Sequence, residues 1–390
     1  MRLNKEKLKN ATTIEKLKIQ MILLFLNFNK VIIWLFSRLL FRQGLPESPT
    51  KILVYRWGSI GDCICAFPAI FDINKNYPNA ILDIENNCPG ASTPFMKLLL
   101  NPEVYRMVFN SGNMSRGEYF QTIKQEKYDI YFMLLGSKNS LFPVLKRMIL
   151  IRLAGIKYGM GWDAYFISFL RKTQVKFFDF DPMINYLKKT LIKNNIPVSI
   201  KNHYPLNIQP ADELVINKTI QQTDLNKKNI ALSIGGSAEN RKWKIENYQA
   251  IADFLSPNFN VLIVGGKEDF EKGKQLKNVH NFCGTLTIMQ SALLMNRCLV
   301  TISNDTGPMH LSYAIGTPVI GLFSNWEFPN TWHPPNNNLN VALRAKNIPC
   351  EVCLLTECPY NNLCINEIKI DVVTKEVQNL INKIEKNEVV

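Results

Sequence analysis

The sequence predicts an α/β protein of two doubly wound domains preceded by a basic, apolar segment. Three observations carry that expectation. The chain has 390 residues, 46% of them hydrophobic, which is enough for two ordinary cores. Short apolar runs alternate with helical patterns along most of it, as they do in parallel sheets covered by helices. Between the two series of runs lies Pro197–Pro210, with three prolines, the best candidate for an interdomain hinge. The expected boundaries are residues 1–46 for the leading segment, 47–205 for the first domain and 206–390 for the second.

The formal net charge is +14, which points to an anionic partner. Residues 1–42 hold nine basic side chains against Glu6 and Glu15, and residues 138–176 hold eight against Asp163. These two segments account for the whole excess. The rest of the chain is balanced and carries no electrostatic footprint for nucleic acid. Both basic segments are also apolar. Met21–Phe41 is long enough to cross a bilayer but is interrupted by Asn27, Asn29, Lys30 and Arg38, so it suits a helix lying in the membrane interface better than one spanning it. A helix packed on the protein's own core is the alternative. No small-residue cleavage site follows it, which argues against a secretory signal and for a cytoplasmic protein on the inner face of the inner membrane. The second segment, Leu141–Leu153 followed by Tyr165–Lys172, reads equally as ordinary domain helices or as lipid contact.

After the breaker-rich linker 43–50, Lys51–Tyr55 reads as a buried strand, with further strands at Ile81–Ile84 and Tyr128–Leu135. In the second half, Asn229–Ile234, Asn260–Val264, Leu299–Ser303 and Pro318–Phe323 are strands, and Glu246–Leu255, Thr287–Asn296 and Gly307–Ile315 are helical. The second of these helices opens with a Thr-x-x-Gln capping box. In such folds ligands sit at the C-terminal ends of the strands, which directs attention to the loops there.

Trp57-Gly-Ser-Ile-Gly-Asp62 joins the first strand to a helix. It lacks both the G-x-G-x-x-G dinucleotide fingerprint and the Gly-Lys-Ser/Thr of a P-loop. What remains is a glycine turn, Gly58, Ser59 and Gly61, that puts Asp62 at a helix N-terminus, as a functional carboxylate or as an ordinary cap. Ser303–His310 also joins a strand to a helix. There Gly307 permits close backbone approach, Pro308 suits the first turn, and Thr306 adds a hydroxyl, which together make an anion site. Asp305 and His310 flank it. Gly235–Trp243 is a third such loop, in which Ser233, Ser237, Arg241 and Lys242 suit a diphosphate. Gly265–Asp269 could set Glu268 or Asp269 against a ribose.

Of nine cysteines, Cys350, Cys353, Cys358 and Cys364 form a cluster whose spacing permits reduced packing thiols, a structural zinc or disulfides. Asp179-Phe-Asp181 matches the D-x-D pattern that holds a divalent metal in one class of glycosyltransferases, but three residues match easily by chance.

Taken together, Ile52–Asp62 and Ser303–Pro318 resemble glycosyltransferase family 9, the bacterial heptosyltransferases that build the lipopolysaccharide core. The likeness covers roughly residues 51–370 and extends to the terminal cysteines. It implies a GT-B fold of two Rossmann-like domains facing a cleft, with acceptor on the N-terminal domain and nucleotide sugar on the C-terminal one. Asp62 falls where the family carries its catalytic base, and Asp305, Thr306, Gly307 and His310 fall in its donor-binding motif. Arg241 stands where the family usually has Lys, Lys244 replaces the usual Pro after Trp243, and Trp57, Ser303 and Asn304 are less common forms. The implied activity is inverting, metal-independent transfer of a sugar such as heptose from ADP-heptose to a lipid-linked glycan, with no cofactor. Use of a different nucleotide sugar, or a non-catalytic nucleotide- or glycan-binding role, are the alternatives.

Overall fold

Strands covered by helices on both faces read as unbroken apolar runs, and the runs in this chain assemble into two parallel sheets. The computed structural model describes residues 2–88, 94–134, 140–163, 177–236, 238–335, 337–346, 348, 350–355 and 357–386. It divides into two units, Met1–Asn207 and Ile208–Val390.

The first unit contains β1 (Arg2–Leu3), β2 (Lys51–Trp57), β3 (Ile81–Asn87), β4 (Met107–Phe109), β5 (Ile130–Leu134), β6 (Tyr158–Met160) and β7 (Phe178–Asp179). Its main sheet has the order β4-β3-β2-β5-β6, parallel throughout. Sequence order reverses between β2 and β5, so the loop after β2 lies at the topological switch point, where ligands bind in sheets of this kind. Short strands β4 and β6 escaped the sequence reading because a three-residue run has no periodicity to detect.

The leading segment is a 28-residue helix, Thr13–Leu40, that opens with a Thr12/Glu15 capping box and has two apolar faces. Ile19, Ile22, Leu26 and Ile33 are buried, and Ile33 and the following Phe41 join the core formed by Leu53, Tyr131, Val144 and Met148. On the opposite side Leu17, Met21, Leu24, Phe28, Val31 and Leu35 are exposed. Asn29, which breaks the apolar run in sequence, lies on the inner side and donates to the Phe25 carbonyl at 2.7 Å. Helix Leu141–Leu153 packs beside it. That second helix buries Val144, Met148 and Ile151 and leaves Phe142, Ile149 and Leu153 outside. Tyr165–Lys172 lie outside the described residues.

Both carboxylates of the D-x-D pair already have partners within this unit. Asp179 pairs with the N-terminal strand and accepts from Asn4 Nδ2 at 3.1 Å, while Asp181 is 2.8 Å from Lys189 Nζ.

The second unit contains β8 (Lys228–Ser233), β9 (Phe259–Ile263), β10 (His280–Asn281), β11 (Cys298–Asn304), β12 (Val319–Phe323) and β13 (Asn340–Arg344). The order is β10-β9-β8-β11-β12-β13, again parallel. Its switch point lies between β8 and β11, which brings together the two loops singled out at Gly235–Trp243 and Ser303–His310. Ile230, Leu232, Ile263, Ile302 and Ile320 fill the core against Val373, Val377 and Leu380 of the C-terminal helix Ile370–Glu385. Helix Ile288–Asn296 opens with the expected box: the Thr287 N–H donates to Gln290 Oε1 at 3.0 Å and the Gln290 N–H donates to Thr287 Oγ1 at 3.2 Å.

Candidate active site

The turn Trp57–Asp62 is built around its carboxylate. Gly58 has φ of +135°, which L side chains rarely adopt, and a Cβ there would collide with Asp62 itself. Asp62 Oδ2 accepts from the Ser59 N–H at 3.0 Å and from Ser59 Oγ at 3.1 Å. Its other oxygen, Oδ1, is 3.6 Å from Arg56 Nη2. Arg56, at the end of β2, is fully buried. Its Nε donates to the Asp62 carbonyl at 2.9 Å and its Nη1 to the Leu134 carbonyl at 3.2 Å. Asp62 thus caps the helix Ile60–Asn76, and its side chain remains 15% exposed. Arg56 was not singled out in the sequence, although an arginine inside a buried strand run needs a counter-charge and could have been noticed on that ground.

In the second unit one buried amide ties the switch point together. Asn304 Nδ2 donates to the carbonyls of Ile234 (3.1 Å) and Gly235 (2.9 Å), and its Oδ1 accepts from the Trp243 N–H at 3.1 Å. At the start of the helix Gly307–Ala314, Pro308 has no N–H, and those of Met309 and His310 turn back to the Thr306 carbonyl. Neither of these bonds uses the Gly307 amide, which heads the helix at its positive end. Thr306 Oγ1 makes only a long contact with the Asn304 carbonyl, at 3.4 Å. Gly236 lies against Thr306 and Lys242, each of whose side-chain carbons a Cβ would press.

The remaining expected residues divide by exposure. Arg241 stacks its guanidinium 4.1 Å above the Trp326 ring. Lys242 is paired with Glu239 at 2.5 Å, so part of its charge is already neutralised. Glu268 is exposed, whereas Asp269 is buried, accepts from the Gly266 N–H at 3.1 Å and is pushed up in pKa by burial. Of the two, Glu268 is the one open to solvent. The Ser233 hydroxyl is buried and has no hydrogen-bond partner among the described residues. Ser237 lies outside the described residues. His310 is buried, its Nδ1 2.7 Å from the Tyr313 hydroxyl, and burial lowers its pKa to about 3. It is therefore a neutral ring at physiological pH and offers a phosphate no charge. Asp305 Oδ1 lies 3.9 Å from its Nε2.

Trp326 and Arg344 were missed. Arg344, at the end of β13, donates to the Glu327 carbonyl at 2.8 Å. Burial lowers its pKa, and Glu351 and Asp305 are among the nearby opposite charges. Trp326 follows β12 and Arg344 ends β13, on the far side of β11, where no glycine-rich signal marks the loop.

All four terminal cysteines are thiols, Cys350 and Cys364 buried and Cys353 and Cys358 half-buried. Burial pushes the Cys364 thiol up, with the other three close enough to act on it. Among the described residues no group of three His, Cys, Asp or Glu side chains is placed to hold a metal ion.

Similar proteins agree with this architecture. A lipooligosaccharide heptosyltransferase 2 from Campylobacter jejuni is 23% identical over 350 residues, spanning 85% of this chain and 98% of that protein. The structure of the Escherichia coli ADP-heptose lipopolysaccharide heptosyltransferase II superposes with a TM-score of 0.60 at 17% identity, covering 86% of this chain and all of that one. The iron-containing dodecameric glycosyltransferase TibC of enterotoxigenic E. coli gives 0.56 at 11% identity, covering 88% and 78%. The fold is thus the two-domain GT-B arrangement that the sequence resemblance implied. The model of glycosyltransferase family 9 (heptosyltransferase) matches residues 116–364, a span that contains the Asn304–Gly307 site and begins after the Asp62 loop. By that match, this chain belongs to glycosyltransferase family 9.

Proposed function

We propose that this glycosyltransferase transfers heptose from ADP-heptose, with inversion, to a lipid-linked glycan such as the lipopolysaccharide core. The observation that carries the reading is the set of loops at the two switch points. That of the first unit presents an oriented, partly exposed carboxylate, Asp62. The two of the second unit present a helix N-terminus and a hydroxyl, and a guanidinium, suited to a diphosphate. Asp62 takes the proton from the acceptor hydroxyl as that oxygen attacks the anomeric carbon. The glycosidic bond forms as the bond to the diphosphate oxygen breaks, and the charge growing on the departing nucleoside diphosphate meets the Gly307 amide, Thr306 and Arg241. Glu268, exposed after β9, accepts from the ribose hydroxyls. Because fixed protein donors meet that charge, the reaction proceeds without a divalent ion.

The acceptor is lipid-linked, and the exposed face of Thr13–Leu40 suits its location. Leu17, Leu24 and Phe28 point outward, and Lys16, Lys18, Lys30 and Arg38 are exposed around them. This pattern fits the anionic inner leaflet of the inner membrane, where the protein sits peripherally on the cytoplasmic side.

Release of nucleoside diphosphate, followed with ADP-heptose and with a panel of UDP-sugars on a lipid-linked acceptor, tests the reading. ADP release only with ADP-heptose and an acceptor, undiminished by brief EDTA treatment, is expected. Turnover with UDP-sugars alone overturns the donor assignment. Immediate loss in EDTA, restored by manganese or magnesium, overturns the metal-free mechanism.

A further inference from the structure

An arginine in a surface loop ordinarily spends its in-plane N–H donors on a carboxylate or on backbone carbonyls. Arg241 does neither. Among the described residues no carboxylate pairs with it, and its Nε is buried without a hydrogen-bond partner. What holds it is the face of Trp326, with the guanidinium carbon 4.1 Å from the ring centroid. Stacking uses the plane of the guanidinium and leaves its edge free, the geometry wanted for two oxygens of a diphosphate.

Trp326 is itself fixed. Its indole N–H donates to the Leu355 carbonyl at 2.8 Å, and the same carbonyl accepts from Asn240 Nδ2 at 2.8 Å. Asn240 immediately precedes Arg241, so one carbonyl anchors both the ring and the backbone that carries the cation. Lys242, next along the chain, makes the contrast, because its ammonium is occupied by Glu239 at 2.5 Å.

We propose that Trp326 is a positioning residue for donor binding: it holds Arg241 with its donor edge open toward the distal phosphate of the nucleotide. The proposal rests on the donor-site reading above. It also gives a physical reason for arginine at this place, since an ammonium has no plane to stack and no fork to present.

The test is calorimetric binding of ADP and of AMP, which lacks the distal phosphate, to the full-length protein. The panel is the parent, Trp326→Leu, Trp326→Tyr, Arg241→Ala and the double variant Trp326→Leu/Arg241→Ala. Trp326→Leu should weaken ADP binding by roughly 3- to 30-fold, the range for one cation–π contact, and leave AMP binding within about twofold. Trp326→Tyr keeps an aromatic face and should recover most of the loss. In the Arg241→Ala background, removing the ring should cost less than about twofold, because the two residues act as one unit. Equal weakening of ADP and AMP by Trp326→Leu, or a full penalty without Arg241, overturns the proposal as a general distortion of the loop. Unchanged ADP binding by Trp326→Leu, with Arg241→Ala weakened, overturns the positioning role and leaves the donor site standing. If Arg241→Ala itself binds ADP like the parent, the donor-site reading fails at this residue and the proposal falls with it.

Discussion

Replacing Asp62 with Asn separates the two duties of that carboxylate. Asn can still accept from the Ser59 N–H and hydroxyl, which lie 3.0 and 3.1 Å from Oδ2 in the parent, so the helix start survives. What is lost is the charge facing Arg56 at 3.6 Å. Arg56 is buried, but its hydrogen bonds run to the carbonyls of Asp62 and Leu134, and those persist. The stability cost should therefore fall below the roughly 3–5 kcal/mol of a fully broken buried pair, at about 1–3 kcal/mol. For a unit of this size that lowers the melting temperature by only several degrees, and the variant stays folded at 25 °C. Turnover, in contrast, should drop by about 10² to 10⁴, the usual contribution of a general base. The assay is the steady-state release of ADP from ADP-heptose, with calorimetric ADP affinity and a thermal melt as controls. A folded Asn variant that binds ADP normally and turns over within about threefold of the parent refutes the assignment of Asp62 as base.

Thr306→Val should weaken ADP binding by about 1.5–3 kcal/mol, measured by calorimetry, since its hydroxyl makes no strong bond within the protein. Unchanged affinity would remove it from the phosphate contacts. His310 gives a pH prediction. Its pKa is held near 3 in the fold and is about 6.5 unfolded, so its share of stability is complete above pH 6.5 and is lost as pH falls toward 3. At pH 5 the loss is roughly 2 kcal/mol; urea unfolding should show this for the parent and a flatter slope for His310→Asn, and parallel slopes would contradict the buried neutral ring. At the N-terminus, Leu24→Ser with Phe28→Ser should reduce binding to anionic vesicles by at least about tenfold and leave the melting temperature unchanged in a sedimentation assay paired with a melt. Deleting residues 1–46 should instead destabilise the first unit, because it removes Ile33 and Phe41 from the core; a truncated protein that melts like the parent would show that the inner face carries no stability.

The sheets and their switch-point loops were legible because both signals are local. A run such as Ile52–Tyr55 announces a two-sided strand, and the glycine turns mark where the strands end. Residues that arrive from elsewhere in the chain were not legible. Trp326 lies in the proline- and asparagine-rich loop after β12 and Arg344 ends β13, neither marked by glycine, and Arg56 falls between Lys51–Tyr55, read as the strand, and the glycine turn that begins at Trp57. The glycines also carry a lesson about inference from composition. A Cβ on Gly235 or Gly265 would meet the Asp269 carboxylate, so these glycines are required by the protein's own packing whatever ligand binds nearby. The leading helix defeated a choice between membrane and core because it has an apolar stripe for each, and composition averages over faces.

Asn304 shows how such a site can diversify. Its amide must donate to two carbonyls and accept one N–H, which no carboxylate or hydroxyl can do, so this position has a single chemical solution while the loops keep their path. Arg241 and Glu268 are the residues proposed to meet the ligand, with Trp326 supporting Arg241 from beneath. Evolution can thus revise which nucleotide or sugar is taken by changing the rim one residue at a time, without passing through an unfolded ancestor. A laboratory library that randomises those three positions and leaves Asn304 alone explores donor range on a scaffold that is already secure.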